Sequence, residues 1–261
     1  MIRVLYATDL HGREEHYESV LEAAVKEKVN AIIIGGDIAP RASKANLDFA
    51  VKFQRDFIEK FIIKKFKEFK SKNKDIDILM MMGNDDFMAN MDALEKAEKE
   101  GILKIIHNKL NKVGDKFIIG YSFVSPMPFL LKDWEKVDFK GDKQITEPKY
   151  DVRTAPKEKG TIEEDLNKLK KMADAKKTIY VIHAPPYNTE LDITSLGEHV
   201  GSKAVRKFIE KEQPLMTLHG HIHESAGKEG IGKTIAINPG NEHLVIIDLD
   251  KLKVEKVIEI K

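Results

Sequence analysis

Short runs of consecutive apolar residues alternate along this chain with longer amphipathic segments. Ile2 to Thr8 and Ala31 to Ile34 read as short buried strands, the second stopped by Gly35-Gly36, and Ile76 to Met82 reads as a third, stopped by Gly83. Between them the period changes. Glu14 to Lys28 predicts a helix with Val20, Leu21, Ala24 and Val25 on one stripe. A longer helix from about Lys44 to Lys72 carries Leu47, Val51, Ile58, Ile62, Phe66 and Phe69. Phe87 to Glu100 predicts a helix ended by Gly101. Strand, helix and strand in this order favour a βαβ start and a parallel sheet.

The middle of the chain breaks the rhythm. Val113 to Val124 suggests two strands around Gly114-Asp115, and Ser125 to Gly160 then carries Pro126, Pro128, Pro148 and Pro156 among dispersed charges. This second stretch reads as an irregular insertion, a lid or a plain surface loop, and loops this long are often functional. Regular elements resume with a helix over Glu163 to Met172, a strand over Thr178 to Ile182 and a helix over Ser202 to Glu212. Strands over Leu215 to Leu218, Thr234 to Ile237, Leu244 to Leu249 and Val254 to Ile260 close the chain. The simplest organisation is one α/β domain over 1–261 with an insertion at about 125–160.

Composition narrows the chemistry. The 44 basic and 43 acidic residues leave a net charge of +1, which argues against a broad nucleic-acid footprint. The chain has no cysteine, so any metal must be bound through nitrogen and oxygen, and a cytoplasmic location is the simplest setting. The N-terminal Met1 to Ala7 lacks the basic region and cleavage site of a signal peptide, and no apolar run approaches the roughly 20 residues of a membrane span.

Polar residues with ligand chemistry follow the apolar strands one after another. Asp9 and His11 follow the first strand, Asp37 the second and Asn84 the third; His183 follows Thr178 to Ile182, and His219, His221 and His223 follow Leu215 to Leu218. Each piece alone is commonly a turn or a cap. Together they bring oxygen and nitrogen donors to the edge of an α/β sheet where ligands bind, in about the number that two adjacent divalent ions need.

The ordered set Asp9-Leu10-His11, Gly36-Asp37, Gly83-Asn84, His183 and Gly220-His221-Ile222-His223 resembles the signature of calcineurin-like metallophosphoesterases, and among them small prokaryotic-type members. The likeness runs from Asp9 to the turn Asn238-Pro239-Gly240. It implies a four-layer αββα sandwich of two mixed sheets flanked by helices. It also implies one metal on Asp9, His11, Asp37 and His223, a second on Asp37, Asn84, His183 and His221, and a bridging Asp37. The implied activity is hydrolysis of phosphate esters, small phosphodiesters or nucleotides, by a hydroxide shared between the metals. Manganese, iron, zinc, nickel and magnesium all suit these donors.

Two positions depart from the pattern. The family's third motif usually continues with His, and Asp85 stands there; the Asp that pairs with that His in protein phosphatases is replaced by Pro40. The imidazole that could give a proton to a leaving group is thus replaced by a carboxylate. Arg41 fits the family's phosphate-contacting position, with a solvated arginine as the plain alternative, and Asp85 and Arg41 are the candidate catalytic residues beside the metals. His199, before Gly201-Ser202 and a helix start, is a candidate substrate contact, though Ser202 reads equally as an N-cap. His219 could hold a ligand in place, His16 reads as exposed and His107 as structural. Trp134 either packs the insertion down or stacks a nucleobase.

Two other readings compete. A nuclease would need the basic residues Lys132, Lys136, Lys140, Lys143 and Lys149, which are interleaved with acidic ones. A metal-binding interaction scaffold without turnover would explain the missing His. Phe49, Phe53 and Phe57 offer a homodimer face or widen the core stripe of the long helix.

Overall fold

The computed structural model describes residues 1–42, 46–145 and 151–260, so Lys44, Pro148 and Lys149 lie outside the described residues. One six-stranded sheet is built from β1 (Arg3–Ala7), β2 (Ala31–Ile34), β3 (Asp77–Met80), β4 (Lys104–Ile105), β11 (His243–Asp248) and β12 (Lys253–Glu259), in the order β12-β11-β1-β2-β3-β4. The other contains β5 (Leu110–Val113), β6 (Lys116–Tyr121), β7 (Thr178–Ile182), β8 (Met216–Leu218), β9 (Gly227–Ile231) and β10 (Thr234–Asn238), in the order β5-β6-β7-β8-β10-β9. Both are mixed. β1, β2, β3 and β4 pair in parallel, as do β6, β7, β8 and β10, while β11, β12, β5 and β9 each join a neighbour antiparallel.

The uninterrupted apolar runs of β1 to β3 follow from burial on both faces. Val4, Tyr6, Ala31, Ile33 and Leu79 meet Ile118, Ile179, Val181 and Leu218 of the opposite sheet. Their neighbours Leu5, Ala7, Ile32, Ile34 and Ile78 pack outward, in a cluster that includes Tyr17, Val20, Ile58, Ile62 and Phe66 of the helices. On the far side α5 (Ile162–Leu169) and α6 (Lys203–Glu212) cover the second sheet, with Tyr180 and Phe208 in edge contact at 4.9 Å. This is the expected αββα sandwich. No helix among the described residues is long and apolar enough to cross a membrane.

Several expectations are corrected. α1 (Glu14–Lys26) is rotated relative to the predicted stripe: His16 and Tyr17 are buried with Val20, whereas Val25 is exposed. The Tyr17 hydroxyl donates to the Ile38 carbonyl at 2.6 Å and fixes that rotation, which carries His16 inward. The long helix consists of α2 (Leu47–Phe57), a π-helical segment over Ile58–Ile63 and α3 (Lys64–Lys72). Phe49 and Phe53 stack on each other in solvent, while Phe57 turns toward Tyr17 and Phe61. The helix expected from Phe87 begins as a 3-10 turn at Met88–Asn90 and continues as α4 (Met91–Lys99). β4 and β9 were not expected: β4 is two residues long, and β9 is a polar edge strand bearing two glycines.

The segment 125–160 is irregular where described, but it is not a plain surface loop. Leu131 to Lys136 are buried. Lys132 donates to Glu135 at 2.6 Å, and Lys136 to Asp165 at 2.6 Å. Trp134 is buried against His107 and Phe123 and donates to the Asp86 carbonyl at 3.0 Å, so it packs the segment down and has no face free for a base. With Lys132 and Lys136 neutralised inside the protein, the basic groove a nuclease needs loses two of its members.

Candidate metal centre

Five strand ends and the loops behind them bring the predicted residues to one place. Asp9 and His11 follow β1, Asp37 follows β2, Asn84 follows β3, His183 follows β7, and His221 and His223 follow β8. Asp9, His11, Asp37 and His221 all have left-handed backbone, with φ of 55°, 46°, 50° and 69°. Such conformations are disfavoured for residues bearing a Cβ and persist where the surroundings over-determine them. Each turns a side chain back across the end of the strand. Gly83 is required at its place, because a Cβ there would overlap the Asp37 carboxylate and the His183 ring.

Nε2 of His11 lies 3.0 Å from Nε2 of His223, and His223 Nε2 lies 3.3 Å from Asp9 Oδ1. Next to this trio, His183 Nε2 stands 3.0 Å from Asn84 Oδ1, 3.5 Å from Asp37 Oδ2 and 3.9 Å from Asp9 Oδ1. Asp37 Oδ2 is also 3.8 Å from His11 Nε2, so one carboxylate oxygen faces a histidine of each trio. Asp9, His11 and His223, and likewise Asp9, Asp37 and His183, each offer ligand atoms within 4.8 Å of one another. The His221 ring packs at 5.5 Å from that of His183, and its backbone N–H donates to both Asp9 oxygens.

The donor set fits divalent cations. His183 Nδ1 donates to the Gly35 carbonyl at 2.9 Å, which leaves Nε2 as the atom that would bind a metal once its proton is displaced. That nitrogen points at the oxygens of Asn84 and Asp37, a place that calls for a positive charge, whether a proton on the ring or a metal ion in its stead. Beside Asp9, the Nε2 atoms of His11 and His223 converge on each other at 3.0 Å. A positive ion is what gathers such acceptors, and the absence of cysteine excludes only thiolate-dependent sites.

The electrostatics agree. Burial works against charge on His183, but Asp37 and Asp9 outweigh it and hold its pKa at about 9. Burial would raise Asp37, yet the His183 and His11 rings keep its carboxyl far below the usual range. These carboxylates hold a positive charge at the centre, a role a bound cation would take over. Burial, with the His183 charge second, pushes His221 down to about 4, leaving its ring neutral.

The other candidates fall around this centre. Arg41 Nε donates to Asp85 Oδ2 at 2.7 Å, and its Nη2 comes within 3.5 Å of His11 Nε2. Asp85 forms a third candidate group with His11 and Asp37, and its backbone N–H donates to Asp37 Oδ1 at 2.8 Å. His199 is held by Asp192 at 2.7 Å and packs against Tyr187, while its neighbours Glu198 and Val200 line the cavity beside the centre. His219 is buried, with Nδ1 2.9 Å from the carbonyls of Ile182 and Ala184 and Nε2 on Thr217; its contacts brace the loop after β7 rather than a ligand ring. Ser202 caps α6 through the Val205 N–H, and Asp138 accepts from the Lys203 N–H, so a carboxylate already occupies the helix terminus considered for phosphate.

Two organising residues escaped sequence reasoning. Asp86, fully buried, accepts from the backbone N–H groups of Ile38, Ala39 and Gly83 at 2.8 to 3.0 Å and ties the Asp37 loop to the Asn84 loop. Burial and then the Asp37 charge push its pKa up to about 8, against the pull of those amides. Gln54 donates to the carbonyls of Pro40 and Asp85 and accepts from the Phe87 N–H. The doubled Asp85-Asp86 was the available signal, since the second acid of a tight turn often bonds backbone amides.

The centre opens into a cavity of about 960 Å³ lined by Asp37, Asn84, His221 and His223 and also by Met127, Phe129 and Leu196. Residues of the 125–160 segment therefore border the site.

Comparison with known proteins places this architecture. An uncharacterized protein of Methanocaldococcus jannaschii is 44% identical over 96 residues, 35% of this chain, and the match spans 44% of that relative's length. The crystal structure of TT1561 from Thermus thermophilus covers 100% of this chain and 99% of its own, with a TM-score of 0.67 at 16% identity. A solved archaeal phosphodiesterase covers 99% of this chain and 100% of its own, with a TM-score of 0.50 at 14% identity. At these identities the solved structures show a shared fold. The sequence profile of the calcineurin-like phosphoesterases matches residues 2–225, across every strand end that carries a ligand-type side chain, and the chain belongs to that family of phosphate-ester hydrolases.

Proposed function

We propose that this protein hydrolyses small phosphate esters, phosphodiesters or nucleotides, at two divalent cations held by Asp9, His11, Asp37, Asn84, His183, His221 and His223. The observation that carries the reading is the position of Asp37 Oδ2, 3.5 Å from His183 Nε2 and 3.8 Å from His11 Nε2, between two sets of donors. When bound, such cations polarise phosphoryl oxygens and activate water at neutral pH. The chain's own residues do the rest. Gly35 fixes the His183 tautomer, Asp86 holds the Asp37 and Asn84 loops in register, and Arg41, with a side chain 65% exposed, is free to swing from Asp85 to an incoming phosphate. Manganese, iron, zinc, nickel and magnesium are the candidate ions, and the cysteine-free chain suits the cytoplasm.

A screen of metals against aryl phosphomonoesters and phosphodiesters, on chelated and reloaded protein, tests the proposal. Metal-dependent turnover, lost in His183→Ala and His221→Ala, is expected. Folded, metal-loaded protein that turns over no ester would identify an interaction scaffold instead.

A further inference from the structure

The outer part of the cavity has a chemistry of its own. Phe129, Ile145 and Leu196 are 57%, 64% and 83% exposed, and all three line the cavity, with Val200 and Met127 beside them. Large apolar side chains left in water around a concave site mark a surface that something apolar covers. The wall comes from two separate stretches, and both are anchored. Met127 N–H donates to buried Glu135 at 2.8 Å. In the second stretch, buried Asp192 accepts from the N–H groups of Asn188, Thr189 and Gly201, which bracket Leu196. The apolar side chains are thus presented by braced loops.

The charges point the same way. Arg41 is the one Lys or Arg side chain on the cavity among the described residues, and it is paired with Asp85. Glu198 and Glu224 add negative charge at the rim. A nucleoside polyphosphate would bring further anions to a wall on which, among the described residues, Arg41 alone could receive them. A nucleobase would want a stacking platform and partners for its edge. Among the described residues Phe129 is the one aromatic side chain of this wall left largely exposed, since Phe87 is buried, and Glu224 already accepts from the Ser195 N–H.

We propose that this cavity receives the organic half of the substrate that stays on phosphorus and that this half is a long aliphatic chain, so that the enzyme acts on phosphate esters that combine an aliphatic alcohol with a more acidic leaving group. The proposal rests on the hydrolase reading for its chemistry, but the cavity is tested separately by binding.

The test uses p-nitrophenyl phosphodiesters whose second alcohol is methyl, butyl or octyl, with the nucleoside ester thymidine 5′-p-nitrophenyl phosphate as competitor. The leaving group stays constant, so only the chain in the cavity changes. kcat/KM is expected to rise by about fourfold per methylene over the first few carbons. In Leu196→Asp and Phe129→Ser, both at exposed positions, the dependence on chain length should flatten. Calorimetry on reloaded protein should show octylphosphonate binding tighter than methylphosphonate. Saturation by the octyl ester below its micellar concentration would identify a free amphiphile, and activation only on micelles a lipid surface. A flat series, or preference for the thymidine ester, overturns the proposal and leaves the hydrolase reading intact. Absence of turnover with octylphosphonate still preferred overturns the hydrolase reading and keeps the cavity. Absence of both overturns both.

Discussion

Arg41 and Asp85 form a hydrogen-bonded ion pair of 2.7 Å at the lip of the metal centre, with Asp85 17% exposed and Arg41 65% exposed. The residue that stands in place of the family's usual histidine is therefore engaged by the residue expected to contact phosphate. An exposed pair of this kind is worth about 1 kcal/mol or less, so an incoming phosphate can take Arg41 over. Asp85→Asn is then expected to leave kcat/KM on an aryl ester unchanged or to raise it by up to about fivefold. Because no imidazole stands ready to protonate a departing alkoxide, and general acid assistance is typically worth about 10²–10⁴-fold, aryl esters and phosphoanhydrides should be preferred to alkyl leaving groups. Measuring rates against leaving-group acidity in both proteins decides the matter. Selective loss of alkyl-ester turnover in Asp85→Asn would make Asp85 the acid, and loss of metal would make it a ligand.

Asp37 Oδ2 faces both His11 and His183, so its removal should not empty a single site. After chelation and reloading, elemental analysis of Asp37→Ala is expected to show less than one ion per chain where the parent holds two. Retention of two ions with full activity would place the bridge elsewhere. Gly83→Ala should resemble it, since the added methyl meets the Asp37 and His183 side chains.

Much of the centre was legible because strands buried on both faces read as unbroken apolar runs, and the first polar residue after each run marks the strand end. Asp9, Asp37, Asn84 and His183 follow that logic directly. What the sequence hid depends on contacts between distant segments. Nothing local distinguishes Asp86, which clamps amides 48 and 47 residues away, from an ordinary turn acid. His16 lies four residues before Val20 on the buried side of α1, but its polarity removed it from the predicted stripe, and the rotation depends on tertiary contacts, the Tyr17–Ile38 bond and the packing of Tyr17 on Phe57, Phe61 and Phe66. Lys132 looked like a groove cation for the same reason: its partner Glu135 and the wall that buries both are tertiary.

His107 gives the fold a pH dependence of known sign. Burial, with Lys136 second, lowers its pKa from 6.5 to about 3, and its Nδ1 accepts from the Ser122 N–H at 3.0 Å, a bond that a proton on that nitrogen would abolish. The folded pKa lies below the unfolded one, so between pH 6.5 and 3 the unfolded chain takes up a proton that the native state refuses. This contribution is complete above pH 6.5 and is lost as the pH falls, by at most about 1.4 kcal/mol per pH unit. Urea unfolding across this range should show a shallower acid decline in His107→Gln, which can still accept from Ser122. Identical slopes in the two proteins would show that His107 titrates alike in both states.

Lys132 and Glu135 are the sharpest test of how the cavity wall is held. Their side chains are 0% and 1% exposed, and both also bind the backbone of Met127: Lys132 Nζ donates to its carbonyl at 2.6 Å and Glu135 accepts its N–H at 2.8 Å. Truncating one member leaves a buried charge and an unsatisfied backbone group, which typically destabilises by about 3–5 kcal/mol. Lys132→Met is therefore expected to lower stability by that order in urea unfolding. The double variant Lys132→Met with Glu135→Leu should recover part of the loss, because apolar residues of similar size replace a buried pair at little cost, or even with a gain in stability. The two backbone bonds to Met127 would remain broken in the double variant. Met127 and Pro128 should then lose their fixed position, so the double variant is expected to hold its metals yet bind substrates more weakly, with KM raised and kcat little changed. A double variant as unstable as the single one would mean that the Met127 bonds, and not the buried charge, dominate the loss. An unchanged KM would show that this wall does not depend on the pair.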